Sequence, residues 1–302
     1  MPRASLDIGS NSILLLVLDE KGRVLHDDAT VVGLGRGIGD RGLLRADRVD
    51  DALAVIGEYA ARAEGLGVPR GALQAVATSA LRRALNGETF LARVRELFGV
   101  TVRVISGEDE ARLTAAGALS GLTLPPGPLL VLDPGGGSTE LALLMPDPSL
   151  PGGAAVLHRR SFELGSVRLT EQYLAEEPLR PQAVARVRTH IAEALADLHL
   201  DPMPRAVVAV AGAPTTLAAA ELGLPRFEPA AVHGYALELF NLRRWVDRLI
   251  HTTVAERRAL LQPVPERAET IVPGVLILEQ FLVWSQRTSL TVSARGLRYA
   301  LI

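Results

Sequence analysis

One local pattern occurs twice in the chain and limits its possible folds more than any other feature. SLDIGSNSILLLVLD (5–19) and VLDPGGGSTELALLM (131–145) share one grammar. Each runs from apolar residues to an aspartate, one further residue, a glycine, a short loop of small and hydroxyl residues, and back into apolar residues. Asp133 follows Asp7 by 126 residues. Both copies read as strand, tight turn, strand, because glycine and hydroxyl residues supply the turn and the flanking runs are buried-strand material. A third strand-to-glycine turn, VAGAPTTLA (210–218), leads instead into a helical pattern.

The rest of the chain alternates strand and helix signals, which predicts an α/β architecture. Residues 13–18, 73–79, 100–106, 156–164 and 206–212 read as strands. Helical spacing runs from Val49 through Leu53, Ile56, Ala60 and Ala63, from Gly87 to Phe98, from about Gly107, and through Val184, Val187, Ile191, Leu195 and Leu198. The segment GLTLPPGPLL (121–130) cannot continue a helix and precedes a fresh buried strand, so it is the expected boundary between two domains, 1–124 and 125–302.

With 302 residues, 48% of them hydrophobic and 22% charged, the chain can bury a sizeable core. Its net charge of −2 supplies no global field to recruit nucleic acid. Lys21 is the only lysine, and the other basic residues are arginines, which suit bidentate phosphate recognition. There is no cysteine, which excludes disulfides, thiolate metal sites and a cysteine nucleophile. No signal-peptide pattern opens the chain, and the apolar stretch 271–284 is too short to span a bilayer. The expectation is a cytoplasmic protein with no nucleic-acid or membrane partner.

A Gly/Ser/Thr turn between strands directs several backbone N–H groups at one point, which suits a phosphate. No lysine follows the glycines, so this is not a P-loop, and both loops lead into strands, so neither is a dinucleotide fingerprint. Ordinary hairpin turns are the competing reading, which two copies with matching aspartates disfavour. Asp7, Asp133 and Glu140 are candidate Mg²⁺ carboxylates, and each is also compatible with simple turn capping. In SGEDEARL (106–113), Ser106 fits a helix N-cap with Asp109 at the third helical position. Acids at 108–110 would equally serve the helix dipole. The six histidines show no metal-ligand spacing, and no G-x-S-x-G elbow is present.

LDIGSNS, TSALRRALN, GEDEARL, DPGGGSTE, FELGSVRLTE, GAPTTLA, VHG and the closing GLR occur in an order that resembles the exopolyphosphatase and guanosine pentaphosphate phosphohydrolase (Ppx/GppA) family, from about residue 4 to the C-terminus. The resemblance implies a duplicated actin-like ATPase (ribonuclease H-like) fold, with the active site in the cleft between two α/β lobes. It also implies that a few residues at the extreme C-terminus pack back on the first lobe. The implied activity is release of terminal orthophosphate from inorganic polyphosphate, or from the 5′-triphosphate of a guanosine alarmone in the stringent response. By that resemblance Glu110 is the general base. Ser10, Asn11, Ser12, Arg82, Gly135, Gly136, Gly137, Ser138 and Thr139 face phosphate. Asp133, Glu140 and Asp7 attend the metal, Mg²⁺ or Mn²⁺ in its place.

Pro134, Ala213 and Ala294 depart from the family pattern. Pro134 removes one backbone N–H from the loop, and the two alanines replace a hydroxyl and an acid, so weaker phosphate or metal-water contacts are expected. Longer family members carry a further helical region, so this chain is expected to favour short polyphosphates. Family analogy and the apolar late helices make a homodimer a possible assembly. A non-catalytic alarmone or polyphosphate sensor and a sugar or acetate kinase are the competing functions. GEDEARL and the lack of an adenosine-binding pattern count against the kinase.

Overall fold

A computed structural model of the chain describes residues 1–39, 42–147, 149 and 154–302. The first half opens with an antiparallel meander, β1 (Arg3–Ile8), β2 (Ser12–Leu18) and β3 (Val24–Val31). Helix α1 (Ala46–Gly65) carries the chain to β4 (Gln74–Ala77), which lies parallel to β1. Helices α2 (Ser79–Arg83) and α3 (Gly87–Phe98) lead to β5 (Val102–Val104), and α4 (Gly107–Leu119) follows. The sheet order is β3-β2-β1-β4-β5.

The second half repeats the scheme. β6 (Leu129–Pro134), β7 (Thr139–Pro146) and β8 (Ala154–Phe162) form the meander. Helices α5 (Ser166–Tyr173) and α6 (Pro181–Leu195) lead to β9 (Ala206–Ala209), parallel to β6. Then come α7 (Gly212–Glu221), α8 (Pro229–Val232), β10 (Ala236–Glu238), α9 (Leu239–Ile250), α10 (Val254–Leu260), α11 (Ile271–Trp284), β11 (Ser289–Val292) and α12 (Leu297–Ala300). Read from β8, the order is β8-β7-β6-β9-β11-β10, the first sheet's order with one edge strand added. The chain therefore has the duplicated actin-like architecture that the two sequence copies foreshadow. Among the described residues, no helix is long and apolar enough to cross a membrane.

The sequence reading overextends three strands. The runs 73–79, 100–106 and 206–212 yield only the short parallel strands β4, β5 and β9. Each gives way to a turn or helix because its final residues are small or hydroxyl-bearing and feed the loops at the strand ends.

The pleat decides what faces where. Leu6, Ile8, Ile13, Leu15 and Val17 point to one face of the first sheet and join Leu53 and Ile56 of α1 and Phe90 of α3 in one core. Leu130, Leu132, Leu141 and Leu143 do the same beneath α6, α7, α9 and α11. Asp7 and Asp133 are offset by one residue from these apolar positions, so they point to the opposite faces. There α4 and α12 lie. Ala115 and Ala118 of α4 pack on Val131, Ala142 and Val208 of the second sheet. Leu297 of α12 joins Val76, Ile105 and Leu113.

The two helices cross at Gly117, where any Cβ would collide with the carbonyl of Gly296. Arg298 then ties the chain end to β3, donating to Asp27 at 2.8 and 3.1 Å, while Tyr299 donates to the same carboxylate at 2.8 Å.

Candidate active site

The two repeated turns close with the same backbone bond. Gly9 N–H donates to the Ser12 carbonyl and Gly135 N–H to the Ser138 carbonyl, each at 2.9 Å. The loops come from different sheets and meet face to face. A Cβ on Gly136 would stand 3.0 Å from that of Asn11, and one on Gly137 would stand 2.6 Å from Ser79 Oγ and 2.8 Å from Ser10 Oγ. Glycine suits both positions because Ser10 and Asn11 of the opposing loop, with Ser79, leave little room for a side chain.

A cavity of about 500 Å³ opens where the loops meet. Ser10, Asn11, Ser12 and Gly135 through Ser138 line it, with Asp7, Asp133 and Glu110 among its carboxylates. Three other residues singled out from sequence stand behind this lining. The Thr139 hydroxyl donates to the Leu164 carbonyl at 2.5 Å. Glu140 is buried and accepts from Ser161 at 2.8 Å. Arg82 places Nη1 2.6 Å from Glu110 Oε2 and Nη2 3.8 Å from Glu140 Oε1, and also donates to the Ile105 carbonyl at 3.0 Å.

Glu110 reaches the cavity because it sits one helical turn into α4. Ser106 caps that helix as the sequence suggests, accepting from Asp109 N at 3.0 Å. The first-turn acids Glu108 and Asp109 are solvent-facing and Glu110 is buried, so one short run of acids divides between helix stabilisation and the cavity.

Four carboxylates gather here, and burial raises the proton affinity of each. Asp7 goes up to about 8, from burial first and then the nearby Glu110 and Asp133 charges, with Arg298 opposing. Asp133 goes up to about 7 through burial and Glu110, against a 3.2 Å bond from Thr114. Glu140 is raised well above the usual range by burial, Glu110 and Asp133. It is the direct cross-strand partner of Asp133, a placement that sets like charges opposite each other. Glu110 is also raised by burial, and Arg82 holds that rise back.

Such a cluster fits a divalent cation. The buried Asp7 Oδ1 has no hydrogen-bond partner, nor does either amide atom of Asn11. Among the described residues, no three His, Cys, Asp or Glu side chains converge closely enough to hold a metal by themselves. A cation here would therefore be shared between one or two carboxylates and oxygens from substrate and water, as suits Mg²⁺.

Sequence reasoning missed three features. Arg267 lines the cavity, and burial pulls its guanidinium down to about 10; its side-chain bond is to Ser12 Oγ at 3.2 Å. Nothing in the stretch PVPERAE advertises it. Thr78 and Ser79 add hydroxyls to the lining, where β4 gives way to α2. Ala211, also on the lining, has φ 70° and ψ −172°, a conformation natural to glycine. All three departures, Pro134, Ala213 and Ala294, line the cavity, and Ala213 also packs so tightly that a Cβ on Gly274 would stand 2.7 Å from its own.

A family model described as the Ppx/GppA phosphatase family matches residues 17–302. Exopolyphosphatase 2 of Mycobacterium tuberculosis is 31% identical over 293 residues, 92% of this chain and 88% of that protein. The crystal structure of the Aquifex aeolicus Ppx/GppA family member superposes with a TM-score of 0.79 at 31% identity, covering 100% of this chain and 96% of that one. An exopolyphosphatase from Cytophaga hutchinsonii superposes at 0.88 and 24% identity, over 99% and 96% of the two chains, a likeness of fold.

Proposed function

The chain belongs to the Ppx/GppA phosphatase family, and from that premise we propose that it hydrolyses terminal phosphoanhydride bonds of inorganic polyphosphate, favouring short chains. The observation that carries this reading is the position of Glu110. It is a buried carboxylate bonded to Arg82 and opening on the cavity that both phosphate-type loops line.

In this reading the backbone N–H groups and hydroxyls of Ser10–Ser12 and Gly136–Ser138 grip the terminal phosphoryl groups, while the Gly135 N–H closes its turn. Thr139 braces the second loop through Leu164. Glu110 accepts a proton from a water whose oxygen attacks the terminal phosphorus, and the bridging oxygen leaves with the shortened chain. Arg82 orients Glu110, and Arg267 offsets charge on the phosphoryl oxygens. Asp7 and Asp133, with Glu140 behind them, would hold Mg²⁺ or Mn²⁺, which when bound offsets phosphate charge.

A cavity of about 500 Å³ limits how many phosphoryl units can be enclosed at once, which supports the short-chain preference. Phosphate release from polyphosphates of graded length tests it; rates that climb steadily to very long chains would refute the preference.

One observation favours a second substrate, guanosine pentaphosphate. Phe227, Pro229, Pro263 and Val264 give the same cavity an apolar wall that a nucleobase could cover. The ratio of kcat/KM for the two substrates decides between them. Binding of both without release would move the assignment to a sensor.

A further inference from the structure

The stretch FELGSVRLTE (162–171) runs from the end of β8 into α5 and lies behind the second glycine loop. Gly165 permits the approach, because a Cβ there would collide with the Gly136 carbonyl. The first N–H groups of α5 take up the loop's carbonyls. Ser166 N–H donates to the Gly135 carbonyl at 2.9 Å, and the Val167 and Arg168 N–H groups donate to that of Gly136 at 2.9 and 3.2 Å. The Gly137 carbonyl is held by a side chain instead, accepting from Arg168 Nε at 3.0 Å. An ion pair with Glu163 fixes the Arg168 guanidinium in turn.

A trans peptide points its N–H opposite to its carbonyl. Holding these three carbonyls from behind therefore turns the N–H groups of Gly136, Gly137 and Ser138 away from α5, and these residues line the cavity. None of the three N–H groups donates to a backbone carbonyl among the described residues. The first loop is backed in the same manner by backbone alone. Val32 and Gly33 N–H donate to the Asn11 carbonyl, each at 2.9 Å, and Gly35 N–H donates to that of Ser10 at 2.7 Å. Among the described residues, Arg168 is thus the one side chain that holds a carbonyl of either loop.

We propose that Arg168 is a positioning residue for the phosphate grip, acting through the Gly137 carbonyl. The inference rests on the hydrolase reading above, which makes a phosphoryl group the ligand of this loop. Glycine at 137 leaves the Gly137–Ser138 peptide free to rotate. Unheld, its carbonyl can turn into the cavity and set an oxygen lone pair against the phosphate oxygens. Bonded to Arg168, it keeps the Ser138 N–H in that place, as a nest for an anion requires.

The test pairs backbone NMR of the ligand-free protein, read at the Gly137 carbonyl and the Ser138 amide, with calorimetric titration of a non-hydrolysable, imido-bridged triphosphate in Mg²⁺. In Arg168→Met both resonances should shift before any ligand is added. Its triphosphate affinity should fall about tenfold, the contribution of one hydrogen bond. Arg168→Lys keeps a cationic donor and should recover part of both effects. Glu163→Gln keeps the guanidinium but loosens its anchor, so it should show a smaller loss of the same kind. Unmoved resonances with a fall in affinity would overturn the proposal, because Arg168 would then touch the ligand itself. So would unchanged affinity in folded Arg168→Met, or in Glu163→Gln should Arg168→Met fail to fold. A wild type that binds the triphosphate yet releases no phosphate from polyphosphate would count against the hydrolase reading alone, and the same variants would still decide the role of Arg168.

Discussion

Arg82 and Glu110 form a 2.6 Å ion pair between α2 and α4, two helices that the chain reaches 28 residues apart, and this pair fixes the carboxylate's direction and its proton affinity together. Burial raises the Glu110 pKa, and Arg82 is the main force opposing that rise. A general base works ionised, so kcat/KM should climb with pH on the acid side, with a midpoint above the ordinary glutamate value of 4.5. Arg82→Gln removes the opposing charge, so that limb should move to higher pH. A pH–rate profile whose acid limb does not move would contradict the role given to Arg82.

Arg267 should act on substrate affinity. Its guanidinium is desolvated at the cavity with one side-chain hydroxyl as partner, which leaves donors free for phosphate oxygens. A charge-assisted hydrogen bond contributes about 1.5–3 kcal/mol, so Arg267→Gln should raise KM by roughly 10- to 100-fold. Steady-state kinetics on a short polyphosphate measures this, and an unchanged KM would remove Arg267 from the binding site.

The raised acids make stability depend on pH in a defined sense. Asp7 and Asp133 titrate at about 8 and about 7 in the folded chain against 3.8 unfolded, so the fold holds protons that the unfolded chain releases. That stabilisation is full below about pH 4 and is lost as pH rises through 7 and 8. Denaturation of metal-free protein should show a steeper fall in stability from pH 5 to 8.5 for wild type than for Asp133→Asn. At pH 8.5 the variant should melt at least about 2–4 °C higher, the shift expected for about 1 kcal/mol. A variant that is less stable at that pH would contradict the account.

Ala211 carries strain that the chain can lose. At φ 70° and ψ −172° it occupies a backbone region that glycine adopts and alanine avoids, at a cost of about 1–3 kcal/mol. Ala211→Gly should therefore raise Tm by roughly 2–4 °C. Calorimetry on the two proteins decides it, and a lower Tm would mean that the side chain packs more favourably than the strain costs.

The features legible in the sequence are local ones. The paired loops follow from strand, aspartate and glycine read along a few residues, and both copies end in the same Gly9–Ser12 and Gly135–Ser138 bonds. Glu110 is different: three consecutive acids at a helix start look alike to capping and dipole arguments, and only tertiary packing buries the third. Residue type alone gives Thr139 and Glu140 the same promise as Ser138, yet they begin β7 and stand behind the cavity lining. Arg267 arrives from an unpatterned segment between α10 and α11, where no periodicity says which way an arginine points. The strands β4, β5 and β9 are shorter than their apolar runs because such runs do not mark where a strand hands over to a turn.

The central claim is that Glu110 activates water for attack on a phosphoanhydride. It is tested most directly by orthophosphate release from a short linear polyphosphate, with Mg²⁺, for wild type beside Glu110→Gln. Wild type should release orthophosphate, and the variant should lose about 10²–10⁴-fold in kcat with KM little changed, because the amide keeps the size of the side chain and loses the base. Full turnover by Glu110→Gln would contradict it.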